Sequence, residues 1–192
     1  MENKRWFKMR KLLVMIVLLL GAGFLRADPP APRSAWRARV TESMPLLGHR
    51  NWILVVDSAY PLQASPGIET IDTGENQLDV VRFVLGEIHR SIQVRPDIYM
   101  DAELPFVPDD EAPGASAYRR EIGDLLRSYN VQSLPHEKII GNIDETSKVF
   151  HVLVLKTTMT VPYTSVFIRL DCKYWSGDSE KRLRERMSAA QH

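Results

Sequence analysis

The 192-residue sequence has a single cysteine, Cys172, so it can build neither an internal disulfide framework nor a cysteine-based zinc site. It has almost no excess of charge, with 25 Lys or Arg against 24 Asp or Glu and a formal net of +1. Even that surplus sits in the first segment. Residues 1–27 hold six Lys or Arg and one Glu, which leaves 19 basic and 23 acidic residues, a net of about −4, in the remainder. Binding a phosphate backbone needs a concentrated basic surface, so no nucleic-acid partner is expected. The sequence also lacks a Gly-x-Ser-x-Gly elbow, a phosphate-binding loop, a dinucleotide fingerprint, internal repeats and low-complexity tracts. What is present, 44 % hydrophobic and 26 % charged residues, is the composition of one ordinary folded domain and not of a disordered chain.

The one long apolar run, residues 12–25, is interrupted only by Gly21 and Gly23. It follows Lys4, Arg5, Lys8, Arg10 and Lys11 and leads to the small residue Ala27, the layout of a secretory signal peptide. As a helix the run would span roughly 21 Å, short of the ~30 Å hydrocarbon core. Residues 1–27 are therefore expected to be a cleaved signal and the protein to be exported, periplasmic or secreted, touching a membrane only if that segment stays attached. Residues 28–34 begin Asp-Pro-Pro-Ala-Pro and read as an extended linker, since successive prolines cannot start a packed helix.

Beyond residue 34 two periods alternate. Helical spacing marks residues 36–47, 76–91 and 118–129, the second through Leu78, Val81, Val84, Leu85 and Ile88. The continuous apolar run Trp52-Ile-Leu-Val-Val suits a strand covered on both faces, and residues 98–100, 150–156 and 164–170 are further strand candidates. Residues 105–114, with three prolines and Asp109-Asp-Glu, read as a long polar loop, and residues 179–187 as a charged terminal helix. Strands alternating with helices imply an α/β sheet with helices on both faces. A single domain over residues 35–176 is expected, followed by a charged helix and tail over 177–192.

Three ordered segments carry a resemblance. Leu47-Gly-His-Arg-Asn-Trp-Ile-Leu-Val-Val-Asp-Ser-Ala-Tyr-Pro61 resembles the Gly-His, apolar strand, Asp, small residue, Pro signature of the D-ribose pyranase and L-fucose mutarotase (RbsD/FucU) family. Pro135-His-Glu-Lys-Ile is similar to that family's histidine followed by a short helix, and Pro162-Tyr-Thr-Ser-Val-Phe-Ile to its Pro-Tyr-Ala-Asn segment before an apolar strand. The similarity covers residues 40–171. It implies a three-layer α/β/α sandwich, a ring-like homo-oligomer, and cofactor-free interconversion of the ring forms of a free monosaccharide at sites between subunits. Three features depart from the pattern: Ser165 stands where the family has Asn, the chain reads as exported, and residues 105–114 and the tail look like additions. These departures leave open a non-catalytic carbohydrate-binding or structural ring of the same fold.

Opening a cyclic hemiacetal needs one proton removed from the anomeric hydroxyl and one delivered to the ring oxygen. Two proton-transfer groups worth about 10²–10⁴-fold each suffice, without metal or cofactor. Histidine suits the task because it titrates near neutrality. The resemblance gives the acid/base role to His49, and sugar contacts to Asp57, His136, Tyr163 and Ser165. Read without it, His49 is a solvated or capping residue after Gly48, Asp57 caps the turn that follows its strand or holds a ligand at the strand's carboxyl end, and His136 starts a helix. Tyr163 offers a hydroxyl and a ring face, or simple packing, and Lys156 reads as a solvated lysine. His89, His151 and His192 read as surface, strand and terminal residues. Asp97, Asp101 and Glu103 could face a hard cation, but no histidine spacing supports a metal site and none is expected. His49 and Asp57 are eight residues apart across a strand, up to about 26 Å. One sugar reaches both only if the chain bends sharply at His49-Arg-Asn or if His49 comes from a second copy.

Overall fold

The computed structural model describes residues 35–190, so the expected signal and linker lie outside the described residues. The elements run α1 (Ala35–Ser43), β1 (Trp52–Val56), β2 (Ile68–Asp72), α2 (Gln77–Arg90), β3 (Val94–Asp101), a 3₁₀ turn (Leu104–Phe106), α3 (Ala115–Leu126), β4 (Val131–Leu134), α4 (His136–Ser147), β5 (Val152–Lys156), β6 (Val166–Cys172) and α5 (Gly177–Ala189). Among the described residues no helix is long and apolar enough to cross a membrane.

The strands form one sheet in the order β2-β5-β1-β6-β3-β4. β2, β5 and β1 are mutually parallel, as are β3 and β4, while β6 runs antiparallel to both β1 and β3. Five strands thus end at the same edge of the sheet, and β6 begins there.

Side-chain alternation sorts the core into two layers. Ile53, Val55, Ile98, Leu153, Leu155, Val166 and Ile168 share one face with Trp36 and Val40 of α1, the Val80, Val84 and Ile88 stripe of α2, and Tyr118, Ile122 and Leu126 of α3. Trp52, Leu54, Val56, Tyr99, Val154 and Phe167 point the other way, onto Ile139 and Ile143 of α4. The result is the expected three-layer α/β/α sandwich. Burying strands on both faces is what makes β1 and β5 continuous apolar runs. Local signals set the helix ends: the Asn76 side chain accepts from the Leu78 N–H at 2.9 Å to start α2, and Gly114, at φ +95°, turns the chain into α3.

Residues 105–114 are less loop-like than their composition implies. Val107 and Ala112 are buried with Ala115 and Val161 in a small apolar cluster of their own. Arg119 ties the segment down by donating to the carbonyls of Leu104 (3.2 Å) and Val107 (2.6 Å). α5 buries no residue of its own, as its high charge implies.

Before β2 the chain passes tightly under the end of α4. A Cβ at Gly67 would stand 2.2 Å from the Ser147 carbonyl oxygen and 2.6 Å from that of Phe150. Gly67→Ala is therefore expected to cost about 1–3 kcal/mol in urea denaturation through forced backbone displacement. An alanine variant as stable as the parent would show that the two segments separate freely.

Candidate active site

The edge at which five strands end gathers the chemistry. β1 delivers Asp57, β3 delivers Asp101, β4 leads through Pro135 into His136, and β6 is entered through Pro162, Tyr163, Thr164 and Ser165. Open α/β sheets place ligands outside the carboxyl ends of their strands, because side chains and loops from several strands converge there.

His136 is the first residue of α4. Its backbone N–H is one of the donors a helix leaves unpaired at its start, and it is accepted by both carboxylate oxygens of Glu103, at 3.0 and 3.1 Å. The ring is held on two sides. Nδ1 lies 3.0 Å from Oδ1 of Asp101, and Tyr163 packs edge-on, with ring centroids 5.7 Å apart at 82°. Asp101 is 2 % exposed, and burial pushes its carboxyl up to about 6, against the hydrogen bond and charge of His136 and with help from Glu103 and Asp57.

Tyr163 adopts φ +58°, an uncommon conformation for a bulky residue. A buried network fixes it there. The Thr164 hydroxyl donates to the Val161 carbonyl at 2.8 Å, and the Thr164 carbonyl accepts from the Tyr118 hydroxyl at 2.6 Å and from the Gln77 side-chain amide. Gln77, fully buried, also bonds Tyr118 (3.0 Å) and accepts from Thr157 (3.2 Å). Tyr163 is left 39 % exposed, on a cleft of about 440 Å³ that it shares with Asp57, Tyr60, His136 and Val161. A second cleft of about 510 Å³, bounded by Glu103, Phe106 and Glu111, opens on the other side of the Tyr163 segment.

Asp57 does cap its turn, accepting from the Ala59 N–H at 2.8 Å, and it also lines the cleft. Ser165 is buried and does not form part of the cleft wall. One step beyond the Met100↔Val166 pair, the register sets it alongside Asp101. Lys156, expected to be solvated, instead donates from Nζ to the Tyr60 carbonyl at 2.6 Å and braces the cleft. Burial pushes the Tyr60 phenol up, with Asp144, Asp101 and Asp57 adding to the effect.

His49 is not part of this constellation within one chain. It precedes β1, at the opposite edge of the sheet, where Nδ1 lies 3.0 Å from Oδ1 of Asp171. Burial alone would raise the Asp171 carboxyl, but the Arg95 guanidinium, donating at 2.9 Å through Nε, holds it below its usual range. Arg50, at φ +76°, does bend the chain. β1 nevertheless stays paired along its length with β5 and β6, so the bend does not carry His49 to the other edge. His49 lines a separate groove of about 500 Å³ with Arg50, Trp52, Tyr99, Phe150 and Arg169.

Asp101 and Glu103 were legible only as acidic residues near a strand end. The structure turns both onto His136, whereas Asp97 bonds Tyr99 (2.9 Å) and Gln132 (2.6 Å). Among the described residues no group of three or more potential ligands could hold a metal ion. The signal that could have found Asp101 is the one that found Asp57: a carboxylate directly after a short apolar strand.

The layered sheet is the RbsD/FucU fold. The structure of Bacillus subtilis RbsD complexed with D-ribose superimposes with a TM-score of 0.52 at 14 % identity, over 70 % of this chain and 92 % of that one. The fucose mutarotase of Streptococcus pneumoniae in complex with L-fucose gives a TM-score of 0.45 at 18 % identity, over 68 % of this chain and 89 % of that one. FucU from Bifidobacterium longum gives 0.45 at 15 %, over 74 % and 93 %. No protein-family model and no curated protein matches the sequence.

Proposed function

We propose that the protein interconverts cyclic forms of a free monosaccharide by general acid/base ring opening, without a cofactor, and that it does so outside the compartment of its synthesis. The observation that carries the reading is the convergence of His136, Tyr163 and Asp57 on one cleft at the carboxyl edge of the sheet. A base takes the anomeric hydroxyl proton while an acid protonates the ring oxygen; the ring C–O bond breaks, the carbonyl form is released, and closure reverses both transfers. Tyr163 offers its ring face to the sugar's C–H surface and its hydroxyl to a sugar oxygen, and Asp57 accepts from sugar hydroxyls. Export rests on the basic and apolar first segment alone.

In this reading His49 supplies one of the two proton-transfer groups from a second copy of the chain, in a ring-like homo-oligomer. Its position at the far edge leaves it unable to reach the cleft of its own chain. His49→Ala is then expected to remove most of the exchange enhancement while leaving the fold intact.

The test is NMR saturation transfer between anomers across a panel of free aldoses, with and without the protein. Acceleration of exchange on at least one sugar, with a smaller loss in Tyr163→Phe than in His136→Ala, supports the reading. Binding without acceleration on any sugar would replace it with a carbohydrate-binding ring.

A further inference from the structure

Asp101 is the one buried carboxyl among the described residues, and sugar contact does not explain it. Its side chain has no exposed surface, and it is absent from the walls of the clefts that flank Tyr163. It makes one contact with a titratable partner, Oδ1 to Nδ1 of His136 at 3.0 Å. Among the described residues its Oδ2 is the one buried side-chain oxygen or nitrogen without a hydrogen-bond partner. Such an arrangement is costly to a fold, because a buried carboxylate oxygen without a donor loses its hydration and gains nothing in return. A chain selected for stability alone would carry Asn or an apolar residue there.

We propose that Asp101 is a positioning residue that holds the proton of His136 on Nδ1, so that Nε2 presents a lone pair to the cleft as the second proton-transfer atom of the site. This rests on the ring-opening reading for its purpose, but not for its test. The geometry leaves the ring little freedom. Nδ1 is fixed by Asp101, the backbone at His136 by Glu103, and one ring flank by Tyr163, so the edge that remains is the one bearing Nε2.

A carboxylate on Nδ1 does two things for such a base. It selects the tautomer whose Nε2 is unprotonated, and it stabilises the imidazolium formed when Nε2 takes the anomeric proton, so the same atom can return that proton on closure. Asp57, Glu103 and the Tyr163 phenol are the other titratable groups turned toward this pair, and Tyr60 and Tyr118 stand behind it. With two carboxylates near Asp101, the third negative charge is tolerated only because the His136 proton lies against it.

The measurement is the pair of imidazole ¹⁵N shifts of His136, assigned through its ring protons, in the full chain at pH 7.5 without sugar. The expected pattern is a protonated Nδ1 and an unprotonated Nε2. In Asp101→Asn the side-chain amide can turn a donor toward Nδ1, and the pattern should reverse; Asp101→Glu, which restores a carboxylate, should return it toward the parent. A parent protonated on Nε2, or an Asn variant with an unchanged pattern, would overturn the assignment. If Asp101→Asn does not fold, the parent and Asp101→Glu patterns decide. Where a sugar is turned over, Asp101→Asn should also lower exchange by 10-fold or more and move the acid limb of its pH profile. Absence of turnover by the parent on every sugar would count against the ring-opening reading and leave the tautomer result standing.

Discussion

Asp101→Asn is expected to make the fold more stable at neutral pH and no more stable in acid. In the parent the buried carboxyl titrates near 6, against an ordinary value of 3.8, so the folded chain holds a proton that the unfolded chain has already released. A raised acid of this kind contributes stability that is full below pH 4 and is lost as pH rises through 6. Above 6 the parent bears the whole cost of a buried charge, about 2–3 kcal/mol for a displacement of roughly two units. Asn carries no charge to bury. Urea denaturation should find the variant ahead by that amount at pH 7.5, with the gap closing toward zero near pH 4. A variant less stable than the parent at pH 7.5 would mean that the Asp101–His136 contact outweighs the burial cost.

The second large effect concerns assembly. His49→Ala and His136→Ala proteins should each lose about 10²-fold or more of the exchange enhancement, one proton-transfer step apiece. Unfolded together and refolded as a mixture, they should recover about a quarter of parental activity, because random assembly leaves about one site in four with an intact His49 from one copy facing an intact His136 from another. Separately refolded variants combined afterwards should not recover it. A co-refolded mixture no better than the average of the two variants, or a parent that light scattering finds monomeric at micromolar concentration, would count decisively against a shared site.

Much of the fold could be read from the sequence because its centre is built of residues with a single environment. Trp52–Val56 is apolar throughout and Val152–Lys156 is apolar up to its last residue, and only strands covered on both faces account for that. The missed strands are at the margins. Ile68–Asp72 and Val131–Leu134 are the two edge strands, half-exposed and rich in polar residues, so neither alternation nor an apolar run marks them. β3 is longer than residues 98–100 because Pro96 sits where β4 has not yet begun to pair, and its missing N–H leaves no gap in the ladder.

The site was legible in part, for a related reason. Asp57, His136 and Tyr163 follow local punctuation: a strand end, a helix start, a proline. What punctuation does not encode is pairing across the sheet. Nothing in the sequence says that Asp101 and Glu103 meet His136 rather than Asp97, or that Lys156 turns back onto the Tyr60 carbonyl. His49 carries the first motif of the resemblance, yet the strand that joins it to Asp57 also holds it away.

The placement of β6 has a consequence for how the protein is made. Without it the sheet falls into two unconnected pieces, β2-β5-β1 and β3-β4, because β6 alone hydrogen-bonds to both. Yet among the described strands it is the last to leave the ribosome. Until residues 166–172 emerge, the nascent chain carries two half-sheets with open inner edges, the kind of surface that pairs with the wrong partner. Asp57 belongs to one half and the Asp101–His136 pair to the other, and Tyr163 lies on the segment that feeds in the bridging strand. Closing the sheet and completing the cleft are therefore a single late event, and a chain ending at residue 165 would carry every predicted site residue without having assembled a site.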